Sequence, residues 1–516
     1  MTYLCAAIFV ESATQVARDA ALAAEMGADM VELRLDRLKD PIPLPKLTIP
    51  YILTCRPTWE GGESELSDED RAKLIQAMDR EAHGSAQYVD IELATYNRYP
   101  DLKKHVAHFP KSAILSSHDF HGRPDRLHNL VLELNQAPTG ISKIVWMART
   151  IRDNLEAFEI LRSRQKPTIA LCMGEAGLIS RVLAKKFGGF LTFCGIRPAE
   201  VTAPGQVSLD EMKRLYRWDS IGPRTKVFGV VGSPVGHSMS PAIHNASFDH
   251  TGFDGIYLPL LVNEGYESFK AFLETFLAFE PLDLTGLSIT IPHKENALRY
   301  LQEKGAQIDP LAERIGAVNT IAITRNNKEP QLFGTNTDYG AILDSITAKL
   351  NIIREQLADY RVAVLGAGGT ARSAVAGLAH YGATTVVYNR TKGRADALAA
   401  EFTGKSGKVV SAPPEKLCDS CCQIYINTTS LGMHPHPDAT PFGDTPPKLD
   451  SNTLVFDAVY NPIETRLLRE AKTAGAMTIS GVEMFVRQAV TQFELWTALK
   501  APPDVMRRAL ESHLAK

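Results

Sequence analysis

Two lysines stand where a lysine can take part in chemistry, each in different company. Lys143 opens an apolar run, Lys-Ile-Val-Trp-Met-Ala, and so should project from a strand into a largely dry interior. Desolvation disfavours an ammonium and frees neutral amine, which can attack a carbonyl to form a Schiff base. Taken alone, Lys143 reads as an ordinary strand-edge lysine. Its neighbours shift the balance: Ser116-Ser117-His118-Asp119-Phe120 ends the preceding strand, and a histidine beside an imine can shuttle protons while water is lost. Arg34, Arg56 and Arg181 offer a carboxylate clamp, because guanidinium forks bind planar anions through paired hydrogen bonds. Glu32 and Glu60 could hold substrate hydroxyls or orient His118.

The second lysine, Lys294, lies just beyond a strand in Ser288-Ile-Thr290-Ile-Pro-His-Lys294, and Asp338 closes Gly334-Thr-Asn336-Thr-Asp338. A Lys–Asp pair beside a substrate hydroxyl can move the proton that accompanies hydride transfer, although a plain salt bridge would use the same residues. Ser238 and Ser240, two residues apart, suit a carboxylate, and Asn319 in Gly316-Ala-Val-Asn319-Thr adds an amide. Downstream, Gly366-Ala367-Gly368-Gly369-Thr370-Ala371 follows a strand and opens a helix. The glycines allow a tight turn and close approach to a pyrophosphate, which the helix N-terminus stabilises. The next strand ends in Asn389-Arg390-Thr391, where an acidic residue would read a ribose 2′-hydroxyl. Arg390, with Arg394 one turn on, would instead attract a 2′-phosphate, so NADP is expected rather than NAD.

These residues need elements to position them. Strand candidates in the first part are Leu4–Val10, Met30–Asp36, Tyr51–Arg56, Tyr88–Leu93, Ala113–Phe120, Lys143–Arg149, Thr168–Met173 and Leu191–Cys194, with Ala13–Gly27, Asp68–Gly84, Asn154–Ser163 and Gly177–Phe187 among the helices between them. Eight such units predict a (β/α)8 TIM barrel, with a doubly wound sheet as the alternative. Charge placement favours the barrel. Glu32, Arg34, Arg56, Glu92, His118, Lys143 and Arg149 all fall in or at the ends of strands, and barrel enzymes gather such residues at one mouth. Leu209–Arg224 reads as a last helix and connector. A new α/β pattern then begins, with strands at Val227–Val231, Ile256–Leu260, Leu287–Ile291 and Ala317–Ile323, a helix at Asp338–Leu350, and strands at Arg361–Leu365, Thr385–Tyr388, Gln423–Asn427 and Leu454–Asp457. Met484–Leu499 reads as an amphipathic helix folding back on the middle of the chain, and the Pro-rich His434–Lys448 as a loop.

Glu32-Leu-Arg34-Leu-Asp36, Arg56-Pro-Thr-Trp-Glu60-Gly-Gly, Ser-Ser-His118-Asp-Phe, Lys143 in its strand, Ile179-Ser-Arg181 and Thr202-Ala-Pro-Gly-Gln206 together resemble type I 3-dehydroquinate dehydratase over about residues 1–218. That resemblance implies that Lys143 forms the imine, His118 is the general acid/base, Arg181 binds the carboxylate, and Thr202 and Gln206 act from a mobile lid. Thr202 replaces a serine common in some members. The later motifs, with Asn427-Thr428-Thr-Ser-Leu-Gly-Met433, Asp457-Ala-Val-Tyr460-Asn-Pro and Gly481-Val-Glu-Met484-Phe-Val-Arg-Gln488, resemble shikimate dehydrogenase over about residues 225–516. This implies Lys294 and Asp338 as catalytic, Ser238, Ser240, Thr290, Asn319, Tyr460 and Gln488 around the substrate, Thr428 in the cofactor site, and Gly481 and Met484 near the nicotinamide. Ser288 stands in place of a common asparagine.

Composition agrees with a multidomain enzyme. At 516 residues the chain exceeds one ordinary core, and a formal net charge of -3 favours neither nucleic acid nor an anionic membrane as partner. No apolar run approaches a membrane span. Seven irregularly spaced cysteines argue for a reducing compartment and against a disulfide framework. Cys418, Cys421 and Cys422 lack a second ligand pair, and no metal is expected. Met1-Thr2-Tyr3-Leu4-Cys5 enters a strand at once without a basic lead. The expected location is cytoplasmic, or a plastid had a transit segment been removed. The predicted organisation is a barrel over 1–218, a substrate-binding domain over 225–336, a Rossmann-like NADP domain over 337–480 and C-terminal helices over 481–516 packing back on the substrate-binding domain. The order resembles fused bifunctional dehydratase/dehydrogenases, in which 3-dehydroquinate becomes 3-dehydroshikimate and then shikimate. The rival readings are a second half that is mainly a quinate dehydrogenase, or one half that only binds ligand.

Overall fold

Alternation along eight short strands builds the first part of the chain. In the computed structural model, which describes residues 2–81, 86–106, 110–197, 202–326, 329–403, 407–443 and 445–514, these are β1 (Tyr3–Phe9), β2 (Met30–Arg34), β3 (Tyr51–Thr54), β4 (Tyr88–Glu92), β5 (Ala113–Asp119), β6 (Ile141–Met147), β7 (Thr168–Met173) and β8 (Leu191–Gly195). All ladders are parallel in the order β7-β6-β5-β4-β3-β2-β1-β8. The one seam, between β7 and β8, is bridged where Phe190 N–H donates to the Thr168 carbonyl at 2.8 Å, so the barrel nearly closes. Cys5, Ile52, Ile114, Ile141, Ile169 and Leu191 fill its interior. The period of two then carries Lys143 to the same inner face as Ile141 and Val145.

Two expected helices come out shorter. Only Leu178–Val182 of Gly177–Phe187 is α-helical, and Lys185 and Lys186 beyond it donate to the carbonyls of Trp218, Asp219, Pro223 and Thr225, binding this segment to the connector instead. The stretch Leu209–Arg224 holds a single π-helical turn at Glu211–Leu215 and a 3-10 turn at Trp218–Ser220.

The next sheet comprises β9 (Lys226–Gly232), β10 (Gly255–Leu261), β11 (Leu284–Ile289), β12 (Gln307–Ile308), β13 (Thr320–Asn326) and β14 (Glu329–Thr335), in the order β10-β9-β11-β13-β14-β12. Here β13 runs antiparallel to both neighbours. The third sheet is wholly parallel: β15 (Arg361–Leu365), β16 (Thr384–Tyr388), β17 (Val409–Ala412), β18 (Ile424–Asn427), β19 (Leu454–Asp457) and β20 (Met477–Ile479), ordered β17-β16-β15-β18-β19-β20. Strand order reverses between β15 and β18, which is where an open α/β sheet forms its ligand crevice.

The barrel and the second sheet are joined by continuous packing. Phe158 and Phe187 stack at 4.1 Å between ring centroids, and Phe279 lies against both. Arg217 pairs with Asp249 at 2.5 Å. Glu175, in the loop after β7, reaches Gly236, where an added Cβ would sit 2.9 Å from its carboxylate. At the end of the chain, helix Gly481–Thr497 buries Val482, Val486, Phe493 and Trp496 against Phe228, Phe248 and Tyr257. All seven cysteines are free thiols, and among the described residues no helix is long and apolar enough to cross a membrane.

Trp496 fits only because position 286 is glycine: a Cβ there would lie 2.6 Å from the indole. Overpacking of this kind costs about 1–3 kcal/mol. Gly286→Val is therefore expected to lower the stability of the second sheet's domain by that amount, read as an earlier urea transition of that domain, while the barrel's transition stays in place.

Candidate active sites

Strand β6 delivers Lys143 into the barrel, where its Nζ lies 2.7 Å from Asp90 Oδ2 and 3.5 Å from Glu32 Oε1, with the Phe193 ring centroid 4.3 Å away. Arg56 sits below. Its Nη2 is 2.7 Å from Asp90 Oδ1, and its Nη1 donates to Glu92 at 2.8 Å and to Ser116 at 2.7 Å. Glu92 is held in turn by Arg71 at 2.8 Å. These side chains are almost wholly buried, so each charge needs its partner. Burial opposes ionisation of Asp90, but Arg56, then Lys143 and His118, outweigh it and keep the carboxyl far below the usual range. Burial likewise opposes the Arg56 charge, and Asp90, Glu92, Glu60 and Glu32 more than restore it.

His118 projects from the end of β5, its Nδ1 2.9 Å from Glu60 Oε2. Of the two roles open to Glu60, this contact supports orientation of the histidine. Burial first, then Arg56 and Lys143, push His118 well below 6.5. Burial pushes Glu60 up to about 8, despite Arg56. Both shifts favour the uncharged forms. Glu60 can give Nδ1 a proton as the ring releases its other one, and the reverse, so protons can pass either way.

The three arginines expected to clamp a carboxylate divide sharply. Arg34 is engaged by Asp36 at 2.6 Å, and Arg56 is already paired with Asp90 and Glu92. Arg181 is 2 % exposed and, among the described residues, has no acidic partner; its Nη2 reaches only the Pro204 carbonyl at 3.4 Å. Burial without compensation brings its pKa down to about 10. A cavity of about 460 Å³ is lined by Glu32, Arg34, Arg56, Glu60, His118, Lys143, Arg181, Thr202 and Gln206, the first-half residues given a binding or catalytic role from the sequence; Glu92 is not part of its lining. Thr202 donates through its backbone N–H and its hydroxyl to Gln206 Oε1, and the Pro204 carbonyl accepts from Gly174 N–H at 3.1 Å, seating this loop over the mouth. Arg149 is exposed and lies outside the cavity. Asp90 was missed in the sequence, since Tyr-Val-Asp-Ile-Glu reads as a strand and gives no sign of which lysine its acid meets.

A second cavity, about 1220 Å³, opens between the second and third sheets. Ser238, Ser240, Thr290, Lys294, Asn319, Asp338, Tyr460 and Gln488 line it together with Thr370, Gly481 and Met484. Lys294 donates to Asp338 Oδ2 at 2.6 Å, and Asn319 Nδ2 donates to Asp338 Oδ1 at 2.9 Å. Asp338 stands in the first turn of helix Thr337–Leu350, capped by the Asn336 side chain. Ser288 bonds Tyr257 and Gln492.

Beyond this cavity, Gly366 turns with φ of 115° against Thr428, whose hydroxyl is fixed on the Leu365 carbonyl at 2.7 Å. Added Cβ atoms at Gly368 and Gly369 would meet nothing within 4 Å, so the turn opens onto free space at the start of helix Gly369–His380. That space fits a pyrophosphate. Ala371 is fully buried and serves helix–sheet packing, and Ala367 lies at the turn. Arg390 and Arg394 are exposed past the end of β16 beside Asn389 and Thr391, without an ion pair among the described residues, and fit a 2′-phosphate.

The first region, residues 4–223, matches the family model for type I 3-dehydroquinase. Residues 230–321 match the shikimate dehydrogenase substrate binding domain, 348–420 shikimate / quinate 5-dehydrogenase, and 481–511 the shikimate 5'-dehydrogenase C-terminal domain. A chloroplastic bifunctional 3-dehydroquinate dehydratase/shikimate dehydrogenase of Arabidopsis thaliana is 39% identical over 97% of this chain and 83% of its own length. This chain belongs to that bifunctional family. A Methanosarcina acetivorans shikimate dehydrogenase (NADP(+)) is 44% identical over 55% of the chain and 97% of its own. A shikimate dehydrogenase solved in complex with NADP+ is similar at 33% identity and a TM-score of 0.50, covering 57% of this chain and 98% of that one. The cofactor of this family's dehydrogenase half is NADP.

The raised Glu60 pKa has a consequence for stability. Between its ordinary 4.5 and about 8 the folded barrel holds a proton that the unfolded chain releases, so the Glu60 contribution is full at low pH and disappears as pH rises through about 8. The stability difference between wild type and Glu60→Gln should therefore shift against wild type from pH 5 to pH 8. Urea midpoints of the barrel at those two pH values check this, and a flat difference would contradict it.

Proposed function

We propose that this chain converts 3-dehydroquinate to 3-dehydroshikimate in its barrel and reduces that product to shikimate with NADPH in its second half. For the first step, the observation that carries the reading is Arg181, a buried cation with no acidic partner among the described residues, in the same cavity as Lys143 and His118. A substrate carboxylate would supply the missing partner and so fix the ring against Lys143.

Lys143 gives its ammonium proton to His118 and attacks the ketone; loss of water, which takes a proton back from the same pair, gives the imine. His118, backed by Glu60, removes the α-proton; the resulting enamine expels the β-hydroxyl, which leaves as water with a proton returned by the same pair. Hydrolysis of the imine then restores Lys143, for a net loss of one water. Asp90 and Arg56 hold the lysine in place, and Thr202 with Gln206 covers the substrate.

In the second half, Ser238 and Ser240, with the Tyr460 hydroxyl, hold the carboxylate, while Thr290 and Gln488 take ring hydroxyls and Asn319, at the substrate's edge, holds Asp338. NADPH supplies the hydride when bound, across Gly366–Ala371, with Gly481 and Met484 toward the nicotinamide. Lys294 gives the proton that turns the ketone oxygen into a hydroxyl, and Asp338 orients Lys294. The Ser240 and Thr290 hydroxyls favour shikimate over quinate, which comparative turnover of the two measures. We assign residues 1–218 to the dehydratase, 225–336 and 337–480 to the substrate and cofactor domains, and 481–516 to the helices returning to the former. The free thiols favour a reducing compartment, cytoplasm or plastid.

Supplying 3-dehydroquinate and NADPH should yield shikimate with one NADPH consumed per turnover. Borohydride added during turnover should reduce the imine and label Lys143; an unlabelled lysine would remove the imine from the mechanism. Arg390→Ala should raise the NADPH KM about tenfold or more, in keeping with loss of a charge-assisted bond of about 1.5–3 kcal/mol, and leave the NADH KM unchanged.

A further inference from the structure

A continuous hydrogen-bonded chain runs beneath the second cavity and ends on Asp338. The Tyr257 hydroxyl donates to Ser288 Oγ at 2.7 Å, and Ser288 donates to Gln492 Oε1 at 2.9 Å. Gln492 Nε2 donates to Thr320 Oγ1 at 2.9 Å, and Thr320 donates to Asn319 Oδ1 at 2.8 Å. Asn319 Nδ2 then donates to Asp338 Oδ1 at 2.9 Å. Every member is buried, and Tyr257 and Thr320 are fully enclosed.

The direction of the chain matters more than its length. An amide has interchangeable ends in shape but opposite ends in polarity, so its orientation must be set by its neighbours. For Asn319, Oδ1 is claimed by two donors, the Thr320 hydroxyl and Thr337 N–H at 2.8 Å. That leaves Nδ2 facing Asp338 and the Thr337 hydroxyl. Gln492 Nε2 can only donate, so Thr320 Oγ1 accepts there and directs its single O–H to Asn319, and the Gln492 amide is itself set by the Ser288 hydroxyl. Each link polarises the next, and a fully satisfied buried network of this kind holds one arrangement.

We infer that Thr320 is a positioning residue for reduction: fed by Tyr257, Ser288 and Gln492, it fixes the Asn319 amide so that Asn319 aims Asp338 at Lys294. Thr320 is absent from the cavity lining and contacts no substrate position itself. Ser288 thereby acquires a role, as the small hydroxyl that both receives the tyrosine proton and turns the glutamine. The inference rests on the reading of Lys294 and Asp338 as the proton-transfer pair.

Thr320→Val keeps the shape of the side chain and removes the hydroxyl, so Asn319 loses one of the two donors that orient it. Expected for the full-length chain is a fall of about tenfold in kcat for 3-dehydroshikimate reduction, about one lost hydrogen bond, with KM within twofold. Thr320→Ser, which retains the hydroxyl, should recover at least half of wild-type kcat. Dehydratase turnover of the same preparation reports that the chain has folded, and Thr320→Ala replaces the valine variant should that one not accumulate. A rise in KM at constant kcat, or a serine variant as impaired as the valine variant, would overturn the inference. Lys294→Met and Asp338→Asn are measured alongside. If both retain turnover, the proton-transfer reading itself falls; if both lose turnover while Thr320→Val retains wild-type kcat, only the positioning role falls.

Discussion

Asp90 meets Lys143 on one oxygen and Arg56 on the other, and most of the barrel interior is arranged around that double contact. A buried carboxylate without cations would be strongly destabilising, and two buried cations without the carboxylate would be worse. The set extends outward through Glu92 to Arg71 on the surrounding helix layer, so the charge balance of the pocket is tied to the packing of helix on barrel. The same cations that keep Asp90 ionised help to keep His118 neutral. One electrostatic arrangement therefore fixes the lysine and tunes the residue that must exchange protons beside it.

The second site obeys a different constraint. Its cation and carboxylate are not sealed in a barrel but placed where two sheets meet, with Lys294 about a quarter exposed and Asp338 nearly enclosed. The third sheet reverses strand order at the glycine turn, and the helix Gly481–Thr497 returns from that sheet to cover the second. Gln488 and Gln492, four residues apart on this helix, reach the cavity as Trp496 locks into the gap left by Gly286. The packing that closes the fold thus also delivers side chains to the site.

Much of this was legible in the sequence because the relevant signals are local. Alternating apolar runs marked all eight barrel strands to within two residues at each end, and the glycine turn between strand and helix marked the crevice where strand order reverses. Elements with weak local signal were missed. The two-residue β12, the edge strands β17 and β20, and β14, whose Glu-Pro-Gln start resembles a loop, depend on neighbours for their pairing. Which charges meet was likewise hidden. Arg34, Arg56 and Arg181 are equivalent as letters, and only the positions of Asp36, Asp90 and Glu92 in space show that two are already satisfied. The Tyr257–Asp338 chain spans elements more than 200 residues apart, and no spacing rule connects Gln492 to Thr320.

The contrast between Arg56 and Arg181 carries a further point about how binding is organised. A paired arginine stabilises the empty protein and has little left to offer a ligand. Arg181 does the reverse: with no acidic partner among the described residues, its unfavourable solvation is relieved when an anion binds. The Pro204 carbonyl that it contacts belongs to the loop that carries Thr202 and Gln206 and leans on Gly174. An anion that drew the guanidinium away from that carbonyl would act on the loop as well as on the arginine. The residue beside Gly174 is Glu175, which rests on Gly236, two positions before Ser238 in the dehydrogenase cavity. The loop over the barrel mouth and the edge of the second cavity are thus linked through the Gly174 backbone and the Glu175 side chain.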